Sequence, residues 1–307
     1  MDTSDRSRGV VGIFILIFVL FLIFIIFSFF TIQNLKGVSS DDDFSFENGQ
    51  APIGVVEVNN VIMESKKTIL ALHKAEKDPT LKAIILRINS PGGAVGPTQE
   101  IYEEIIRIDK KIPVYASMGT VAASGGYYIA AATRKIYANA GTLTGSIGVI
   151  MQFMGMKRLY DFAKLDPNTL KAGKYKDIGS PFKSMSEKER ALMMNMLAGV
   201  HDQFINDINS RRKERIKGNL RDHAQGQIFS GAGALEAGLI DEIAGLWEAG
   251  RRIHKDMKME EDFDLKFIKY KKKFKFEKFF EEMEESLSFM KSRISGEATQ
   301  PMFIFGQ

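Results

Sequence analysis

From Val10 to Phe27 every position except Gly12 is Val, Ile, Leu or Phe, and no charge occurs between Gly9 and Leu35. A bilayer-spanning helix needs roughly 20 apolar residues, whereas a cleaved leader carries an apolar run of about 7 to 15 before a small-residue cleavage site. The pattern therefore predicts one transmembrane helix over 10–32. Each Ile, Leu, Phe or Val contributes about −0.3 to −0.6 kcal/mol at the helix centre, so the run favours insertion by several kcal/mol. Residues 33–50 are polar, with Asp41, Asp42 and Asp43 among Gly and Ser, and read as a flexible tether. Arg6 and Arg8 precede the apolar run, which orients residues 1–9 toward the cytoplasm and the rest of the chain away from it.

After the tether the pattern changes to short apolar runs alternating with helical periods. Gly54–Val58 and Ala83–Ile88 are β-branched runs of the kind that form buried strands, with a helical pattern over Thr68–Glu76 between them. Thr98–Ile108 places Ile101, Ile105 and Ile108 on one helical face; Val114–Ser117 reads as a strand and Gly126–Ala132 as a small-residue helix. Arg134–Asn139 and Gly145–Gln152 are further strand candidates. Ser186–Arg215 reads as a long helix opened by a Ser186/Glu189 capping box. Strand, helix, strand and helix follow at Gln227–Ser230, Ala232–Ala237, Leu239–Glu242 and Leu246–Lys255. Such alternation predicts an α/β domain over 51–258 with a largely parallel sheet. Within the remaining segment, 259–307, Leu265–Tyr270 alternates like an edge strand. Lys271–Lys278 mixes lysine with phenylalanine, a pattern suited to covering a core, a neighbouring subunit or anionic lipid.

Composition narrows the chemistry. The 307 residues include no cysteine, so disulfides, thiolate catalysis and cysteine-ligated zinc are excluded. The net charge is +4, and the Lys/Arg excess forms no long basic arm of the kind that grips nucleic acid. No His/Asp/Glu group has metal-ligand spacing, so neither metal nor cofactor is expected. His73, His201, His223 and His254 all fall in charged, helix-like stretches, and no Gly-x-Ser-x-Gly turn accompanies them.

Two residues remain as candidate chemistry. Ser124 lies in Val121-Ala-Ala-Ser-Gly-Gly-Tyr-Tyr-Ile129, where a hydroxyl at the head of a helix meets unpaired backbone N–H groups that favour negative charge. Small residues there also let a helix pack closely on a sheet, so the motif alone leaves both readings open. Lys176, in Lys171-Ala-Gly-Lys-Tyr-Lys-Asp177, is a candidate base. An ammonium accepts no proton, so the lysine must be neutral part of the time. Burial among apolar neighbours favours that form, and a bound peptide or a subunit interface is expected to shield it. A surface lysine beside Asp177 would keep its charge.

Five segments together resemble the signal peptide peptidase A family of membrane serine peptidases in its short, single-repeat form. They are Asn89-Ser-Pro-Gly-Gly93, Ser117–Tyr128, Leu143-Thr-Gly-Ser-Ile-Gly-Val149, Gly173–Pro181, and Gly226-Gln-Ile-Phe-Ser-Gly231 continuing to Gly238–Ile243. The resemblance implies a Clp protease/crotonase-like spiral of ββα units and a Ser-Lys dyad. It makes Ser124 the nucleophile, Lys176 the general base, Ser146 a hydroxyl that orients the lysine, and Gly93 an oxyanion-hole residue acting through its backbone N–H. It also implies a homo-oligomeric ring with the dyad completed between adjacent subunits. The expected protein is a single-pass endopeptidase of the bacterial cytoplasmic membrane that degrades remnant signal peptides. The alternatives are a related Ser-Lys peptidase acting on other membrane or envelope proteins, and a peptide-binding membrane scaffold without catalysis.

Overall fold

The computed structural model describes residues 18–28 and 51–268. Contacts along the chain divide it into two units, 1–49 and 50–307. In the first, residues 18–28 form a helix (α1) whose apolar side chains from Phe18 to Phe27 are exposed. Among the described residues no helix is long and apolar enough to cross a membrane. Much of the span expected over 10–32 lies outside those residues, as do the tether 33–50 and the Lys/Phe run 271–278.

The second unit is built on parallel strands buried from both sides. β1 (Ile53–Asn59), β2 (Ala83–Ser90) and β3 (Val114–Ala123) pair in parallel, linked by α2 (Lys66–Glu76) and α3 (Val95–Asp109). Strands covered on both faces read as continuous apolar runs, which explains Gly54-Val-Val and Ala83-Ile-Ile-Leu. Side chains nevertheless divide with period two. Val56, Val58, Ile84, Leu86 and Ile88 join the core beneath α2 and α3, whereas Ile53, Val55, Ala83 and Ile85 pack with Ala249 and Ile253 of α9 (Leu246–Asp256). Each such side chain contributes roughly 1.5 to 3 kcal/mol on full burial.

β3 is the strand at which the sheet turns. Its first half, Ala116–Met118, pairs with β4 (Ile136–Ala138), and its last residues, Val121–Ala123, pair on the same side with β5 (Leu143–Gly145). Among the described residues the eight-stranded sheet runs β6 (Ile228–Ser230), β5, β3, β2, β1, β8 (Leu265–Phe267), with β4 joining β3 to β7 (Glu242–Ile243). Among the described strands only β6 is antiparallel, against β5, so the sheet is mixed. β8 (Leu265–Phe267) forms the edge expected of that segment and carries the sheet past residue 258.

Several elements depart from the sequence reading. The strand expected over Gly145–Gln152 is instead β5, which ends at Gly145. Gly145 and Ser146 have φ of 76° and 49°, backbone that leaves the pleat, and residues 146–156 have no regular structure. The strand expected over Leu239–Glu242 begins only at Glu242, because the amides of Leu239 and Ile240 bond back to Ala234 O and close α8 (Gly231–Glu236). β3 runs on to Ala123 instead of stopping at Ser117. Two short helices, α5 (Lys157–Phe162) and α7 (Leu220–His223, capped by Asn219), are not among the elements expected from the sequence. α6 (Glu187–Arg212) follows its capping box: Ser186 Oγ accepts from Glu189 N at 3.3 Å and the Glu189 carboxylate accepts from Ser186 N at 2.9 Å.

Candidate active site

Ser124 follows the last residue of β3 and precedes α4 (Gly125–Ala131), at the carboxyl end of the parallel strands where open α/β sheets bind ligands. Its φ of 52° and ψ of −119° belong to a region open to glycine and costly for a residue with a Cβ. Neighbours hold it there. Its N–H donates to Gly145 O at 2.8 Å, and its carbonyl accepts from Tyr128 N at 2.9 Å. The residue is half-buried, and among the described residues its hydroxyl has no hydrogen-bond partner.

The Asn89-Ser-Pro-Gly-Gly93 turn lies directly against this serine. The register between β2 and β3 shifts between Ile88 and Ser90, and the Asn89 side-chain oxygen accepts from Thr120 N and Val121 N at 3.1 and 3.2 Å. Ser90 Oγ then accepts from Gly92 N at 3.1 Å. Gly92 has φ of +103°, and a Cβ on it would fall 2.7 Å from Gly125 N and 2.9 Å from Ser124 Cβ, so only glycine fits. Gly93 forms an isolated parallel bridge with Ile62, whose two bonds are Ile62 N to Gly92 O and Ala94 N to Ile62 O. In that pattern the flanking residues make the bonds, so Gly93's own N–H points away from Ile62.

On the other side lies a cavity of 320 Å³ lined by Gly93, Ser124, Gly125 and Ser146. Three of the four expected site residues are thus brought together. Ser146 is fixed by Ser146 N donating to Gln227 O at 2.8 Å. Val200 and Phe204 of α6 and Tyr128 of α4 also line the cavity. The Tyr128 ring packs on Phe204 with centroids 4.7 Å apart, and its hydroxyl bonds the Asp207 carboxylate. Burial, with that carboxylate beside it, pushes the Tyr128 hydroxyl up, so it stays protonated and donates. Asn89, Tyr128 and Phe204 were not singled out in the sequence. Asn89 and Tyr128 lie inside motifs that were, but Phe204 of α6 comes from far along the chain.

Lys176 does not line that cavity. It is exposed, on an arm between the cavity-lining residue Ile150 and the start of α6 at Glu187. Its neighbour Asp177 is held by Lys171 at 2.5 Å and Lys183 at 3.0 Å, and Lys183 also reaches Glu189 at 2.5 Å. The lysine contacts hold the Asp177 carboxyl at about 2, and Lys183 with the Ser186 cap holds Glu189 at about 2. A chain of charges therefore ties the arm to the first turn of α6.

The histidines serve other purposes. His73 pairs with Glu104 at 2.5 Å, His223 meets Lys217 O at 2.8 Å, and His254 meets Glu261 O at 2.6 Å. The Nε2 of His201 is buried with no partner among the described residues. Among the described residues no group of three or more His, Asp or Glu is placed to hold a metal.

Parallel strands deliver a strained serine to the edge of a cavity lined by Gly93 and Gly125, in an α/β fold of the Clp protease kind. A profile of the Clp protease family matches residues 55–146, and one of peptidase family S49 matches residues 106–260. The chain belongs to peptidase family S49 and is a serine peptidase. It is 35% identical over 192 residues to a provisionally named protease of Synechocystis, covering 62% of this chain and 69% of that one. It is 35% identical over 201 residues to an Enterococcus faecium protein provisionally named signal peptide peptidase SppA, covering 65% of this chain and 57% of that one. A provisionally named protease of Methanocaldococcus jannaschii is 34% identical over 180 residues, covering 59% and 58% of the two chains.

Proposed function

We propose that this chain is a membrane-anchored Ser-Lys endopeptidase that degrades remnant signal peptides, and that each site joins Ser124 of one copy to Lys176 of an adjacent copy. The observation that supports this reading is that Lys176 is exposed on the arm and does not line the cavity that holds Ser124, Gly93 and Ser146. Asp177 is tied through Lys183 to Glu189, whereas α6 meets the cavity at Val200 and Phe204. At 1.5 Å per residue these positions are roughly 16 to 22 Å apart along the helix. The arm also presents Leu159, Phe162 (87% exposed), Leu165 and Leu170 (96% exposed) to solvent, an apolar surface suited to a second copy.

In this mechanism neutral Lys176, oriented by Ser146, takes the proton from Ser124 Oγ as that oxygen attacks the peptide carbonyl. The N–H groups of Gly93 and Gly125 receive the developing oxyanion, each worth about 3 to 4 kcal/mol. Lys176 then gives its proton to the departing amine, and water activated by the same amine hydrolyses the acyl-enzyme. Packing of the neighbouring copy over the cavity supplies the dry surroundings a neutral lysine requires.

The apolar run 10–32 supports anchoring in a bacterial cytoplasmic membrane, with the peptidase unit on the outer side. Tethering raises the local concentration of the enzyme near bilayer-bound apolar peptides. The name carried by the Enterococcus relative supports the same substrate class. The test mixes Ser124→Ala with Lys176→Ala chains, each inactive alone. In a head-to-tail ring assembled at random from equal amounts, about one quarter of the sites would regain both groups. Absence of any rescue in demonstrably mixed assemblies would refute a shared dyad. Preference for envelope proteins over signal-sequence peptides would redirect the substrate assignment.

A further inference from the structure

A second cavity, of 590 Å³, lies between the arm and α6, away from Ser124. Five methionines line it: Met151, Met154, Met185, Met193 and Met194. Met154 is 71% exposed and Met194 57% exposed, far more than core methionines would be. Clustered methionine gives a soft, polarizable surface that adapts to an apolar partner. The groove residues are distinct from Leu159, Phe162, Leu165 and Leu170, the outward apolar set of the arm.

The rim of the groove is cationic. Lys157 is engaged by Asp161 at 2.8 Å, and Lys183 by Asp177 and Glu189. Arg158 and Arg190 also line the groove, and neither meets a carboxylate among the described residues. Two guanidinium groups beside an open apolar trough call for a partner that brings both apolar side chains and carboxylates.

The chain itself contains such a segment. In 279–290, Phe279, Phe280, Met283, Leu287 and Met290 recur at helical intervals. At 100° per residue these five positions fall within an arc of about 100°, while Glu282 and Glu284 flank that arc on either side. Glu281 and Glu285 complete the acidic face. The geometry points to residues 279–290, from the same or an adjacent copy, as the occupant of the methionine groove, with Glu282 and Glu284 on Arg158 and Arg190. The ten residues 269–278 give a tether of up to roughly 35 Å when extended. Because the arm forms one wall and α6 the other, the docked segment clamps the two together. This inference does not depend on which residues form the catalytic dyad.

The absence of cysteine makes the test direct. The full chain in detergent micelles would carry Met194→Cys with Leu287→Cys, and a control would carry Met194→Cys with Gln300→Cys. Under mild oxidation the first pair should close about tenfold faster than the control, as an internal or an intermolecular disulfide. Adding Arg158→Glu and Arg190→Glu should remove that advantage, and adding Glu282→Lys and Glu284→Lys to those should restore it, which separates a lost contact from a misfolded chain. Equal rates for the two cysteine pairs would overturn the proposal. So would rapid dimers of the Met194→Cys single variant, which would mean that the groove is covered by its own counterpart in a second copy.

Discussion

Replacing Ser124 with glycine should make the protein more stable while abolishing hydrolysis. The residue sits at φ 52° and ψ −119°, where a Cβ costs about 1 to 3 kcal/mol. Glycine adopts the same backbone freely. Removing the hydroxyl forfeits no hydrogen bond among the described residues, and the side chain caps no amide of α4. The opposing term is the added freedom of glycine in the unfolded chain, about 0.4 to 1 kcal/mol. A net gain of about 1 kcal/mol remains. For a domain of this size that corresponds to a rise in Tm of roughly 2 to 4 °C.

Ser124→Ala is the control, because alanine keeps the Cβ and therefore the strain. The chain has a single tryptophan, Trp247, so thermal unfolding at a fixed scan rate can be followed by its fluorescence. The order expected is glycine variant above wild type, with the alanine variant close to wild type and both variants inactive. A glycine variant that melts at or below the alanine variant would refute the claim that the backbone at this serine is strained.

Gly93→Ala would place a Cβ 2.1 Å from Ile62 O, so the Gly93 amide must move; kcat should fall about 10²- to 10³-fold with KM little changed. Wild-type turnover of signal-sequence peptides would exclude that amide from the oxyanion hole. Phe204→Ala removes a ring packed on Tyr128 at the cavity wall; urea unfolding should register a loss of about 3 kcal/mol, and cleavage should shift toward bulkier side chains. Unchanged specificity would detach α6 from substrate binding. Asp177 and Glu189 are held at about 2, below their unfolded values, so the stability they lend the arm is present above about pH 4.5 and is lost as pH falls from there toward 2. Rate-corrected amide exchange should show arm protection falling between pH 6 and pH 3, and Glu189→Gln should remove much of that difference; identical profiles would show that the charges do not hold the arm.

Local signals carried most of the fold. β1 and β2 appear where apolar runs announce them, and α6 begins at its capping box, because these features depend on neighbours a few residues away. The departures arise where distant backbone decides. Val149 and Ile150 look strand-forming, yet the positive φ of Gly145 and Ser146 ends β5 before them and leaves them lining the cavity. Leu239 and Ile240 are as apolar as a strand requires, but the turn at Gly238 directs their amides back to α8. Period and propensity contain neither fact.

The site divides along the same line, and its division bears on function. The setting of Ser124 is legible because a strand end, a glycine pair and a helix start are adjacent in the chain, while the Gly92 turn, Gly145 O and Ser146 reach it from other segments. Lys176 is legible only as a residue type in a matched motif, since the placing of its segment involves charge contacts of Asp177 and Lys183 with Glu189, at the start of α6. Those contacts tie Asp177, next to the lysine, to the first turn of α6, while Val200 and Phe204 from the middle of that helix line the cavity. In one chain the strained Ser124 hydroxyl opens on a cavity that Lys176 does not line. On the proposed reading, assembly is therefore part of catalysis: the contact that buries the arm's apolar side chains is the same one that dries the lysine and brings it to Ser124, so an unassembled copy cannot cleave the proteins around it.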